Sequence, residues 1–122
     1  GAGGAKVRLI LPWPPKALNP NSRQHWSTLA KAKKEYRHAC GWSAKDQGAA
    51  EIVAKKLTVS LEFFPPDRRA RDTDNMLAAM KSGLDGLADV LGVDDRNWKL
   101  TIIRSDQIGG FVAVTIGVCD AE

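Results

Sequence analysis

The chain has few residues that could staple it or chelate a soft metal. Its 122 residues include two cysteines and two histidines, and no metal-ligand spacing links them. Cys40 and Cys119 read as unpaired thiols in a reducing compartment, not as a secreted disulfide framework. No apolar run approaches the ~20 residues of a membrane span, and the start lacks the apolar stretch of a secretory leader. The expectation is a cytoplasmic protein with no membrane contact. Residues 1–5, Gly-Ala-Gly-Gly-Ala without an initiator Met, read as a flexible tail or remnant. Residues 6–122 are enough for one compact domain and too few for two.

Charge is abundant and unevenly placed. Residues 1–71 carry 14 lysines and arginines against 5 acids, whereas 72–122 carry 4 against 9. A basic first part attracts polyanions through a salt-sensitive, sequence-blind attraction. Taken alone, the basic balance reads more simply as an ordinary solvated surface.

Lys6 to Leu11 alternates charged and apolar residues and reads as a strand with one buried face. Pro12-Trp13-Pro14-Pro15 opens a loop that reaches Asn21, because so many prolines admit neither helix nor central strand. A helix is expected from Ser22 or Ser27 to about Asp46, with Leu29, Ala32, Tyr36, Ala39 and Cys40 at helical spacing. Ala49 to Lys56 is ambiguous. Leu57 to Phe64 reads as a strand stopped by Pro65-Pro66. Asn75 to about Leu91 reads as a helix with Leu77, Met80, Leu84, Leu87 and Leu91 on one stripe, ended by Gly92. Leu100 to Arg104 and Phe111 to Val118 complete the strands, with Gly109-Gly110 read as the turn between them. The order β-α-β-α-β-β implies an α+β domain. Its small sheet would be mixed or antiparallel, with two main helices packed on one face.

The densest chemistry lies in Asp67-Arg68-Arg69-Ala70-Arg71-Asp72-Thr73-Asp74-Asn75, followed by Asp94-Asp95. A surface that binds phosphate avoids acids unless a divalent cation sits between carboxylate and phosphate. On an extended backbone Asp72 and Asp74 would face the same way and could share one cation. Oxygen-only ligands favour Mg²⁺, with Mn²⁺ able to substitute, over Zn²⁺. The competing reading is that Asp72 and Asp74 cap a helix. Asp95 rejoins the pair only if the chain folds back after the helix or a partner subunit supplies it. Lys81 falls on the helical row of Asp74, Ala78 and Asp85, so it reads as a phosphate contact, as an ion pair with Asp85, or as both.

Taken in order, Leu11-Pro12-Trp13-Pro14-Pro15, the Asp67–Asn75 block, Lys81-x-x-x-Asp85-x-Leu87 and Asp94-Asp95 resemble the RusA-type Holliday junction resolvases. The resemblance spans about Arg8 to Ile116. It implies a homodimeric, Mg²⁺-dependent endonuclease that places paired nicks in four-way DNA junctions, in recombination and repair. It carries over Asp72, Asp74 and Asp95 as catalytic metal ligands, and Asn75 as the residue holding the helix start. The family's lysine position is Ala78 here, and Lys81, three residues on, is the nearest substitute. Arg68, Arg69 and Arg71, extended by Lys31, Lys33, Lys34 and Arg37, would follow the DNA backbone. Trp13 reads as packing against the sheet, with a wedge at the junction centre as the other option. His25 and His38 read as surface or packing residues, and Trp26, Trp42 and Trp98 as core or interface. The rival class is a catalytically silent DNA-binding protein of the same fold.

Overall fold

The computed structural model describes residues 6–23, 25–69 and 71–119, with the backbone alone at Cys119. The tail at 1–5 and the thiol of Cys119 lie outside what is described. The elements follow as β1 (Lys6–Pro12), α1 (Trp26–Asp46), β2 (Lys56–Phe64), α2 (Thr73–Leu91), β3 (Trp98–Arg104) and β4 (Phe111–Cys119). This is the α+β order read from the sequence. Ala49–Glu51, in the ambiguous stretch, forms a single 3₁₀ turn.

The sheet is mixed, in the order β1-β4-β2-β3. β4 runs antiparallel to both neighbours, while β2 and β3 are parallel because α2 carries the chain back across the sheet. Since β2 separates β3 from β4, Gly109-Gly110 does not close the hairpin expected from sequence. The 105–110 segment instead crosses the end of β2, where Ser105 N–H donates to Phe63 O at 2.9 Å and Gly110 N–H to Phe64 O at 2.7 Å. Gly110 has φ of 79°, a conformation that costs a glycine nothing.

Strict alternation places Leu9, Leu11, Leu57, Val59, Leu61, Phe63, Val112, Val114 and Ile116 on one side of the sheet, all buried. The helices complete one core against that side through Tyr36 and Cys40 of α1 and Met76, Met80, Leu84 and Leu87 of α2. Each such fully buried large side chain contributes roughly 1.5–3 kcal/mol. Arg8, Thr58 and Thr115, at intervening positions in register, face the other way.

The helices cross at glycines. A Cβ at Gly86 would lie 2.1 Å from Arg37 O, and one at Gly83 would lie 2.5 Å from the Tyr36 ring. Small residues there let the backbones approach, and Tyr36 O–H then reaches Pro12 O at 2.7 Å. Burial raises the Tyr36 pKa and pushes the Cys40 thiol up to about 11. Cys40 is free.

One apolar expectation fails, at Ala39, and two are narrowed, since Trp26 and Trp42 are not core residues of this chain. Ala39 is exposed, while Trp26 and Trp42 are 74% and 70% exposed. Ala39 and Trp42 lie away from the Tyr36–Cys40–Ala44 line that meets the core, whereas Trp26, about five turns before Ala44, shares its phase but stands at the exposed first residue of the helix. Trp98 is buried as expected, with Nε1–H donating to Val93 O at 3.1 Å.

The two sheet edges differ. On β1, the Gln47 side chain accepts from Ile10 N–H and donates to Ile10 O, both at 2.8 Å, which occupies the outer edge. Among the described residues nothing covers the outer edge of β3 in this way. That strand leaves Leu100 and Ile103 41% and 44% exposed.

Candidate nucleic-acid cleft

A cleft of about 1200 Å³ opens at the carboxyl ends of the parallel pair β2 and β3. One wall is the proline loop after β1, with Trp13, Pro15 and Lys16. The other is the arm from Pro66 into the first turns of α2. Two sequence blocks that stand more than fifty positions apart thus face one another.

Their junction is Arg71 on Trp13. The guanidinium sits 5.7 Å from the ring centroid, and the ring meets Phe63 edge-on at 5.9 Å. Trp13 therefore packs between Arg71 and the sheet, the first of the two readings made from sequence. Arg71 also donates to Asp67 Oδ1 at 2.8 Å, and its carbonyl accepts from Arg104 Nη1 at 3.0 Å. These contacts hold the arm in shape, so Arg71 positions the wall more than it offers a spare cation. The hydrogen bond from Arg71, with one from Arg69 N–H, holds the Asp67 carboxyl below its usual range.

Arg68 is exposed and has no ion pair among the described residues. Arg69 stands on the wall, with only a long 4.0 Å approach to Asp67. Arg104 and Lys16 join it. Sequence reading missed both. No motif marks Arg104, and only the parallel pairing of β3 with β2 brings it to this end. Cations thus face a cleft containing few acids, which is the electrostatics of a phosphate site.

α2 begins at Thr73, two residues earlier than expected, with Asp72 as the residue before the first turn. Asp72 has an extended backbone, but its side chain makes no capping hydrogen bond. The capping alternative therefore fails for Asp72, whose carboxylate stays exposed on the cleft wall. The first-turn N–H groups, left without a side-chain cap, add partial positive charge beside it. Asp74 is already helical, so the two acids do not share a face as an extended arm would have arranged. Asp74 is exposed in the first turn, off the cleft wall. Asn75 lines the cleft and its side chain makes no hydrogen bond among the described residues, so the side chain does not tie down the helix start.

Lys81 lies outside this arrangement. It is exposed, about 13 Å along the axis from Asp72, and makes no ion pair with Asp85 among the described residues. Asp94 and Asp95 follow α2 at its opposite end. Asp94 caps the 3₁₀ turn Asp95–Asn97, accepting from Arg96 N–H at 3.0 Å, which lowers its pKa. Asp95 is exposed just before β3, whose first residue pairs with Leu57, while Asp72 lies beyond the other end of that strand. Seven strand residues make that separation roughly 20 Å. One chain therefore does not bring Asp95 to Asp72 and Asp74. Among the described residues no three His, Cys, Asp or Glu side chains converge as a metal site. Asp72 alone is an oxygen donor on the wall, of the kind a Mg²⁺ or Mn²⁺ ion takes alongside water and a substrate phosphate, and Asp74 does not stand beside it there.

The basic residues expected on α1 divide. Arg37 is spent on Asp89, donating at 2.8 and 2.9 Å, and Lys31 stands 3.9 Å from Glu35. Lys33 and Lys34 are exposed without an ion pair among the described residues. His25 precedes α1, its ring accepting from Ser27 N–H at 3.2 Å, and His38 is on the exposed side. No helix among the described residues is long and apolar enough to cross a membrane.

No protein-family model matches the chain. It is 40% identical over 117 residues to an uncharacterized protein of Xylella fastidiosa strain Temecula1, covering 88% of this chain and 74% of that one. The chain belongs to the same family as that protein.

Proposed function

We propose that the chain is a Mg²⁺-dependent endonuclease of branched DNA. As a homodimer in the cytoplasm of a bacterial or phage-infected cell, it would resolve four-way junctions by paired nicks, as the RusA-type resemblance implies. One observation carries the reading. The Pro12–Pro15 loop and the Asp67–Asn75 arm, the two most distinctive blocks of that resemblance, form opposite walls of one basic cleft around an uncapped Asp72.

In this reading Lys16, Arg69 and Arg104 hold the phosphates flanking the scissile bond, and the unengaged Asn75 amide donates to a phosphate or sugar oxygen. Asp72 would hold the cation from the cleft wall, with Asp74 standing off it, and the cation when bound supplies the Lewis acidity that phosphodiester hydrolysis needs. Lys81, off the cleft, has no part in the step.

Asp95 enters only from a second copy, and the open edge of β3 offers the route. Antiparallel pairing of two β3 strands about Thr101 sets each strand's start beside the other's end. The second copy's Asp95 then falls near Arg104, Arg71 and Asp72. Isologous pairing also gives two equivalent clefts, matching the approximate two-fold symmetry of a junction.

The test is nicking of an end-labelled four-way junction in Mg²⁺, Mn²⁺ and chelator, with a linear duplex alongside. Metal-dependent paired nicks on the junction alone are expected. In Asp72→Asn they should be lost while junction binding and thermal stability hold, because the side chain caps nothing. Asp95→Asn mixed with Asp72→Asn should restore part of the activity, since one mixed dimer cleft has both acids intact. Tight junction binding without nicks in either metal would instead establish the silent DNA-binding protein, the reading favoured by Lys81's distance from the cleft.

A further inference from the structure

We infer that the outward ridge of α1, centred on Trp42, is a second nucleic-acid contact that takes a strand with unstacked bases. It shares a class of partner with the cleft reading but needs no cleavage.

The ridge follows from helical phase. Lys34, His38, Trp42 and Lys45 recur at four, four and three, so they stand in one row about 16 Å long on the side opposite Tyr36, Cys40 and Ala44. Every member of the row is exposed. Trp42 is 70% exposed, a large apolar surface left mostly open among the described residues. Lys45 Nζ sits 5.6 Å from the Trp42 ring centroid, so a cation attends the ring while much of it stays open. Neither Lys34 nor Lys45 has an ion pair among the described residues.

Charge selects the occupant. α1 carries five lysines and arginines against two acids. Two such ridges face to face would repel, so a second copy does not fit this surface against itself. A polyanion fits it, and an open indole among cations adds what a bare phosphate does not use. Stacking of bases on exposed aromatic rings beside a basic track is how sequence-tolerant strand binding works, and it requires bases out of the duplex stack. Single strands and the unpaired centre of a branched DNA supply them.

The test uses the full chain in chelator, so that cutting cannot intrude, with labelled oligothymidylate and a duplex of equal length. Trp42→Ala should weaken oligothymidylate binding about tenfold and duplex binding by less than about twofold, whereas Trp42→Phe should retain most of the affinity. Lys34→Ala and Lys45→Ala should each lower the salt slope of binding by about one. Circular dichroism of each variant controls for folding, which an exposed ridge should not disturb. Equal affinity of Trp42→Ala and the parent for oligothymidylate would overturn the inference. So would equal losses on oligothymidylate and duplex, or loss of self-association with DNA affinity unchanged. A chain that nicks no junction yet shows the Trp42-dependent difference would sink the cleft reading alone.

Discussion

The two helices are packed against each other and built to opposite specifications. α2 buries eight of its 19 residues, and its charged residues are Asp74, Lys81, Asp85 and Asp89. α1 buries three of its 21 residues and is predominantly basic. α2 is therefore the core's helix, with its N-terminus as one wall of the cleft. α1 touches the core through Tyr36, Cys40 and Ala44, with Leu29 and Ala32 partly buried beside them, and spends most of its remaining surface on solvent and charge. Where the two meet, the division is enforced by glycine on α2 and by the Arg37–Asp89 pair beside it. Burial alone does not rank the helices by importance, because a helix with three buried residues can carry five of the chain's 18 lysines and arginines.

The severest way to break this arrangement is Gly86→Val. Its side chain would enter the backbone of Arg37, and losses of about 3 kcal/mol or more are expected in urea unfolding. A smaller loss would mean that the helices slide apart cheaply. Next, Leu87→Ala should cost about 3 kcal/mol, because the residue is fully buried, while Trp42→Ala should leave stability within about 0.5 kcal/mol. That pair measures the difference between core helix and surface helix directly.

Tyr36→Phe should cost about 1 kcal/mol by leaving Pro12 O without its donor. The same site predicts alkaline weakening. The folded pKa values of Tyr36 and Cys40 lie above their unfolded ones, so folding holds protons that the unfolded chain releases. Stability should be level up to about pH 8.5 and fall as pH rises through about 11. Tyr36→Phe/Cys40→Ala should flatten that fall.

Asp89→Asn is the smallest effect. Arg37's hydrogen bonds lower the folded pKa of Asp89, so its contribution is present above about pH 4 and lost as pH falls through the folded value. The parent and Asp89→Asn should differ slightly in melting temperature at pH 7 and converge in acid. A difference that persists in acid would show packing, not charge, at work.

Element order was legible because periodicity is local. Leu57 to Phe64 alternates, and Met80, Leu84, Leu87 and Leu91 recur at helical spacing. Sheet order was not, because the insertion of β4 between β1 and β2 depends on pairings far apart in the chain. Residue type left Trp26 and Trp42 as core or interface, although phase already excluded the core for Trp42. It stands eleven residues from Lys31, three helical turns, and so shares the charged side. Within the site, the Asp67–Asn75 block and the proline loop were both visible, but their meeting through Arg71 and Trp13 was not. The distance from Asp72 to Asp95 was already implied by the length of α2. Whether Arg37 was free depended on Asp89, a residue on the other helix, and no local pattern could announce that pairing.

The place of β4 has a consequence for how this molecule is made. Among the described residues β1 has β4 as its one strand partner, joining Lys6 to Gly117, and β4 also supplies the inner neighbour of β2. Until synthesis has passed Cys119 and cleared the ribosome, the first strand has no partner and the sheet has no middle. Leu9, Leu11, Val59 and Leu61 are meanwhile exposed to whatever else is nearby. Contacts of such long sequence separation make folding slow and leave nascent chains open to aggregation. Cooling the culture, slowing synthesis or raising chaperone supply should therefore improve soluble yield more than any substitution on the finished surface.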